Sequence, residues 1–171
     1  MNRYLCNGLS IFAAMKYRIL NKEELEIFDE DFKYFLIANG VSNEEWIEMN
    51  TSDQDRAIDL VELFSDTVLQ KVYEKVKFIE HRGKSACLVF KLNDENIEMI
   101  SLNSQEENLD LSTPESIHDA LLNHTDSLST FRSSKDYAKK REEEIHDMLV
   151  QGCFNSSEVF WILLDKVVSN K

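Results

Sequence analysis

The chain has 171 residues, and its 32 acidic and 19 basic side chains give a formal net charge of −13 at pH 7. An apolar fraction of 43%, with four glycines and one proline, is typical of a globular protein and excludes collagen-like, low-complexity and disordered chains. The negative charge disfavours nucleic acids and anionic membranes as partners, because both carry phosphate groups of the same sign.

The first 14 residues differ from the rest of the chain. Residues 9–14 form an apolar run, but six residues are fewer than the roughly 7–15 of a secretory signal core or the ~20 of a membrane span. Met15 then opens a segment that leads directly into the first predicted helix. We therefore interpret residues 1–14 as a non-native or disordered extension and Met15 as the natural start.

Three helix starts follow. Asn21 with Glu24, and Ser42 with Glu45, each form a capping-box pattern, whose side chains satisfy the free amides of a first helical turn. The polar run at 51–53 opens a long periodic segment. The apolar side chains that share one face of this third helix are Ala57, Leu60, Val61, Phe64, Val68 and Val72.

Three short runs of β-branched and aromatic residues come next. They predict antiparallel strands at 77–81, 86–92 and 97–102, separated by polar turns. Lys91 is expected to point to water. The face of the middle strand that is expected to meet the helices carries Ala86, Leu88, Phe90 and Leu92.

The last third of the chain returns to helix. Residues 103–112 are polar and acidic, and predict a surface linker. Pro114 suits the first position of a helix, where its missing amide does no harm. Two more helices are predicted at 135–151 and 158–168, the second capped by Ser156.

This order of elements predicts an α+β fold. N-terminal helices in 15–76 and a C-terminal helical pair in 113–171 are expected to pack on a three-stranded antiparallel β-meander at 77–102. Residues 15–171 are predicted to form a single domain. An open meander leaves two strand edges, through which a second copy could associate.

Familiar catalytic and nucleotide-binding motifs are missing from the sequence. It contains no glycine-rich phosphate loop, no nucleophile elbow, no HExxH and no EF-hand loop, so we expect no cofactor. The three cysteines are widely spaced, which favours a reducing, cytoplasmic location. Cys87 lies in an apolar run and is expected to pack as a small hydrophobic side chain.

The four histidines offer few arrangements with chemistry. Glu142 and Glu143 precede His146 by one helical turn, which makes the three a weak candidate for a metal site. Solvated glutamate and histidine side chains on a helix surface explain the same pattern. A small enzyme whose site combines dispersed groups such as Glu80, His81 and His146 is an alternative function.

The acidic helices favour a different function, a non-catalytic protein-interaction or regulatory module that docks on a basic protein. Solubility alone explains an acidic surface as well, and mimicry of a nucleic acid by rows of carboxylates is a third hypothesis. The carboxylates predicted to bind the partner are Glu23, Glu24, Glu26, Asp29, Glu30, Asp31, Asp53, Asp55, Asp59, Glu62 and Asp66.

Several segments resemble an uncharacterised bacterial family of small proteins, known only as a domain of unknown function. The resemblance implies that the native chain starts at Met15, and it implies no catalytic or binding residue. The matching segments are Met15-Lys16-Tyr17-Arg18, the cap at Asn21 to Glu24, Phe64-Ser65-Asp66, Phe90-Lys91-Leu92 and Arg141-Glu142-Glu143-Glu144-Ile145.

Overall fold

The computed structural model describes residues 15–169, so the predicted extension at 1–14 lies outside the described residues. Within the described part, the chain has seven α-helices and one five-stranded antiparallel sheet, which confirms the α+β class. The chain divides into two compact units, of which unit 1 ends at Leu69 and unit 2 begins at Gln70. That residues 15–171 form a single domain stays a prediction.

Unit 1 is helical. Both predicted capping boxes are confirmed: Asn21 accepts a hydrogen bond from the Glu24 amide at 2.9 Å, and Ser42 accepts one from the Glu45 amide at 3.2 Å. The first predicted helix is divided in two at Phe28. The helices are α1 (Lys22–Ile27), α2 (Asp29–Ala38), α3 (Asn43–Ser52) and α4 (Gln54–Lys75), whose last six residues belong to unit 2.

Aromatic side chains join α2, α3 and α4 within unit 1. The Phe32 ring meets the edge of Trp46, with ring centroids 5.1 Å apart, and lies 4.9 Å from the ring of Phe64. Such ring contacts add to the stabilisation that burial alone provides. The buried side chains around them are Leu36, Val41, Met49 and Ala57.

Unit 2 contains the sheet. Its strands lie in the order β4-β3-β2-β1-β5, and every pair is antiparallel. The three predicted strands are present, but the predicted number of strands is wrong, because β4 and β5 extend the meander on both sides. The strands are β1 (Phe78–Arg82), β2 (Ala86–Leu92), β3 (Asn96–Ser104), β4 (Leu128–Asp136) and β5 (Phe154–Asn155).

Three helices complete unit 2. Pro114 is the first residue of α5, as predicted, and Thr113 caps the helix. The helix predicted at 135–151 begins later, because residues up to Asp136 belong to β4. The Ser157 hydroxyl, rather than that of Ser156, accepts from the first turn of the last helix. The helices are α5 (Pro114–Asn123), α6 (Arg141–Val150) and α7 (Glu158–Ser169).

The most buried face of β2 is not the predicted one, although Leu92 of the predicted face is also buried. Cys87 and Val89 are fully buried in the core beneath α5 and α7, whereas Leu88 and Phe90 are only half-buried on the other face. Both faces of this strand are apolar, so alternation could not decide between them. The complete burial of Cys87 in this core shows that it packs as a hydrophobic side chain. Burial also raises the pKa of its thiol to about 12.

Arg141 connects three parts of unit 2. Its guanidinium donates to the carbonyl oxygens of Tyr73 at 3.0 Å and Val76 at 2.5 Å, at the end of α4. The same group donates to the carbonyls of Leu92 at 3.2 Å and Asn93 at 3.1 Å, in the β2–β3 turn. A cation at a helix C-terminus satisfies carbonyls that have no partner within the helix and complements its dipole.

We predict that Arg141→Ala lowers the free energy of unfolding by about 3 kcal/mol, because it removes a charged donor from four carbonyls. Of these, the carbonyls of Tyr73 and Asn93 keep another donor, the Val76 amide and the Tyr137 hydroxyl respectively. Arg141→Lys should cost nearly as much, since one ammonium group cannot reach both the helix end and the turn. Urea denaturation measures the change. Lys140→Ala, at the adjacent exposed position, is the control and should stay within about 0.5 kcal/mol of the wild type. A loss below about 1 kcal/mol for Arg141→Ala would contradict this role.

Candidate partner-binding site

Four carboxylates of α4 lie along one side of the helix. Asp55, Asp59, Glu62 and Asp66 follow one another at steps of four, three and four residues, which keeps them on one helical face. All four are among the carboxylates that were predicted to bind a partner. Their hydrogen bonds and ion pairs decide which of them a partner can use.

Asp66 is already occupied by the chain's own backbone. Its carboxylate accepts hydrogen bonds from the amides of Lys16 at 2.8 Å and Tyr17 at 3.0 Å. The Leu20 amide donates to the hydroxyl of Ser65 at 3.1 Å, and that hydroxyl donates to a carbonyl of α4 at 2.6 Å. Ser65 is fully buried. Ser65 and Asp66 therefore hold the segment 16–20 against α4.

Glu24 has a structural role at the start of α1. Both its oxygens lie 2.7 Å from nitrogens of the Arg18 guanidinium, and one also accepts the Asn21 amide at 2.8 Å. The hydrogen bonds from Arg18 lower the pKa of Glu24 to about 2, against the smaller opposing effect of partial burial and with a further contribution from the Asn21 amide. The Arg18 pair anchors the same N-terminal segment.

The other carboxylates of α1 and α2 are partly neutralised. Lys33 pairs with Asp29 at 2.6 Å and with Glu30 at 3.3 Å, and these hydrogen bonds raise the pKa of Lys33. Glu26 lies 3.9 Å from the Lys22 ammonium group. These are exposed pairs one helical turn apart, which contribute little to stability but reduce the local negative charge.

Among the residues that the structure describes, five carboxylates of the predicted set have no side-chain or backbone partner. Asp55 and Asp59 are exposed on α4, and Glu62 is half-buried beside them. Glu23 and Asp31 lie apart from these on α1 and α2. Among the predicted carboxylates, Asp55, Asp59 and Glu62 are the unpaired ones that lie together on one helical face, and we name them the α4 acidic stripe.

An apolar groove borders the α4 acidic stripe. It lies between α3 and α4, with one wall from the N-terminal segment, and encloses about 310 Å³. Ile58 is 49% exposed there and Ile19 is 41% exposed. The residues that line the groove are Ile19, Trp46, Asn50, Gln54, Ala57, Ile58 and Val61.

One residue in the sequence could have indicated this groove. Ile58 is an apolar residue of α4 outside the predicted core stripe of that helix, and its exposure could have been inferred from that position. Trp46 and Ile19 carried no such indication. Ile19 takes part only because the segment 16–20 folds back on α4, which is a long-range contact that sequence periodicity does not report.

The weak metal candidate in α6 does not gather a set of ligands. Glu142 lies 3.5 Å from the Arg141 guanidinium, and Nδ1 of His146 lies 3.0 Å from the Tyr73 hydroxyl. Within the described residues, no group of three or more histidine, cysteine, aspartate or glutamate side chains could hold a metal ion.

Two residues of the alternative enzyme site, Glu80 and His81, project from opposite faces of the sheet. Glu80 is buried, pairs with Arg82 and accepts a hydrogen bond from the Ser156 hydroxyl at 2.6 Å. His81 is the next residue of β1, so its side chain projects from the opposite face of the sheet. The two do not converge on one pocket.

Comparison with known proteins gives a family without an assigned function. The family model described as a family of unknown function, DUF6495, matches residues 15–169. The chain belongs to this family. The DUF6495 match begins at Met15 and covers all seven helices and five strands of the described chain. No curated protein and no solved structure matches the chain.

No helix between residues 15 and 169 is both long and apolar enough to cross a bilayer.

The role of Glu24 predicts a pH dependence of stability. Its folded pKa of about 2 lies below its ordinary value of 4.5, so its contribution is complete above pH 4.5 and is lost as the pH falls towards 2. We therefore expect Glu24→Gln to lower the free energy of unfolding by about 1 kcal/mol at pH 7. The difference from wild type should shrink as the pH falls below 4.5.

Urea denaturation at several pH values between 7 and 3 measures this difference, using about one pH unit per step. Glu23→Gln is the control, because Glu23 lies in the same first turn but is exposed and unpaired. A destabilisation by Glu24→Gln that stays constant over the whole pH range would show that the Arg18 pair is not its cause.

Proposed function

We propose that this member of DUF6495 is a non-catalytic interaction module that binds a basic protein through the α4 acidic stripe. The observation that supports the proposal is that Asp55, Asp59 and Glu62 share one face of α4 and have no partner within the described chain. A carboxylate that is already paired offers little further attraction to an incoming cation, whereas these three offer their full charge.

The charge of the surrounding residues strengthens the stripe. Residues 15–69 carry fourteen carboxylates and five basic side chains, and these include the three members of the stripe. The summed potential of such a surface attracts a cationic protein over roughly 10 Å at 0.1 M salt and accelerates its association. The same potential rejects acidic partners, which gives the module selectivity.

Two other features of the chain bear on the proposal. The outer strand β4 could pair with a second copy, but it carries Arg132 and Lys135, and charged side chains on an edge strand oppose such pairing. Cys87 and Cys153 are free thiols. Because free thiols are typical of reducing compartments, we propose a cytoplasmic location.

Neutralising the α4 acidic stripe tests the function. In the triple variant Asp55→Asn, Asp59→Asn, Glu62→Gln, we expect roughly tenfold weaker binding of the basic partner, since each lost attraction is worth about 0.5 kcal/mol. The partner is captured from native cells on the immobilised full chain, identified by mass spectrometry, and then titrated as a purified protein.

The matched control removes three charges elsewhere. Glu95, Glu107 and Asp126 are exposed and unpaired, so Glu95→Gln, Glu107→Gln, Asp126→Asn changes the net charge equally. A partner that is retained by wild type and control at low salt, and lost at high salt or from the stripe variant, supports the proposal. Equal loss from both variants would mean that only net charge matters, and equal retention by both would contradict the proposal.

A further inference from the structure

Two stripes run side by side along α4. Gln54, Ala57, Ile58 and Val61 form one wall of the apolar groove. The α4 acidic stripe lies about a quarter to a third of a turn around the helix from this wall, since successive residues are ~100° apart. Ile58 lies where the groove wall meets the α4 acidic stripe, because it is three residues from Asp55 and four from Glu62 on the same side of the helix.

The remaining walls of the groove are fixed by bonds already described. Trp46 and Asn50 come from α3, where the ring of Trp46 is held by its edge contact with Phe32. Ile19 comes from the N-terminal segment, whose backbone is bonded to Ser65 and Asp66 on either side of it. The groove is therefore preformed, with one apolar floor and one charged margin.

From this arrangement we propose that the apolar groove binds an amphipathic basic helix of the partner protein. Its apolar side chains enter the groove against Ile19, Ile58 and Trp46, and its lysines or arginines reach the α4 acidic stripe. This inference rests on the proposed function and names the segment of the basic partner that the module recognises. Recognition of an amphipathic helix by an apolar groove is a common mode of peptide binding.

The spacing of the charges suits a helical partner. Asp55, Asp59 and Glu62 extend over about 10 Å of α4, at 1.5 Å per residue. Basic side chains at steps of four and three residues on a second helix lying along α4 repeat the same spacing, so each cation meets one carboxylate. The apolar positions of that helix then lie next to its basic positions, just as the groove lies next to the α4 acidic stripe.

Other occupants fit the observations less well. A small polar ligand would find the amides of Asn50 and Gln54 and the indole N–H of Trp46 among the lining side chains, and no charged group. A second copy of the chain would bring another surface with a large excess of carboxylates towards the α4 acidic stripe, which like-charge repulsion opposes. A basic amphipathic segment can bury its apolar side chains in the groove and pair its cations with the α4 acidic stripe.

A designed peptide provides the probe. It is a helix-forming peptide of about 14 residues, with leucines on one face and lysines on the adjacent face. An isomer of the same composition, with its leucines spread around the helix, keeps the charge and loses the apolar face. A second version carries glutamates in place of the lysines. Trp46 reports binding by its fluorescence in the full chain, where the second tryptophan, Trp161, is buried in unit 2.

Two variants of α4 separate the groove from the general charge. Ile58→Glu places a carboxylate on the groove wall where it adjoins the α4 acidic stripe, and Leu63→Glu places the same group outside the groove, on a residue that is 52% exposed. Neither position is buried, and circular dichroism checks that both variants are folded. We expect Ile58→Glu to weaken binding of the amphipathic peptide by roughly tenfold or more, and Leu63→Glu to change it by less than about threefold.

The outcomes distinguish this inference from the function on which it rests. Tighter binding of the amphipathic peptide than of its isomer, lost in Ile58→Glu, supports the groove. If the peptide and its isomer bind equally, and both lose binding in the stripe variant, the proposed function would stand and the role of the groove would be contradicted. If the glutamate version binds as tightly as the lysine version, the proposal of a basic partner would be contradicted. Self-association of the chain that Ile58→Glu abolishes would assign the groove to a second copy instead.

Discussion

The bonds from Ser65 and Asp66 to the N-terminal segment control the surface of unit 1. They fix the amides of Lys16, Tyr17 and Leu20 against α4, within a chain that has a large excess of negative charge. This docking removes Asp66 from the carboxylates open to a partner. It also brings Ile19 to the wall of the apolar groove, so one set of local bonds shapes both the charge and the apolar surface.

Pairing within the chain determines which acidic residues can act on another molecule. A count of charges treats Glu24 and Asp59 alike, but Glu24 holds Arg18 and caps α1, whereas Asp59 has no partner in the described chain. Removing a paired carboxylate should therefore change stability, and removing an unpaired one should change binding. Measurements of stability and of binding therefore distinguish the structural carboxylates from those proposed to bind a partner.

Local patterns predicted local structure well. The capping boxes at Asn21 and Ser42, the proline at the start of α5 and the three strands of the meander follow from short-range sequence signals. β4 was missed because its residues Ser129 to Asp136 are mostly polar, as suits an edge strand exposed to water. The groove was missed because it requires contacts between residues nearly 50 positions apart, which no periodicity reports.

The most direct test of this account is an NMR titration of the ¹⁵N-labelled full chain with the basic amphipathic peptide, read residue by residue. We predict that the largest shift changes occur at the indole of Trp46, the side-chain amide of Asn50 and the backbone amide of Ile58, which face or adjoin the groove. Changes concentrated in residues 70–169, or spread evenly over all the acidic helices, would contradict it.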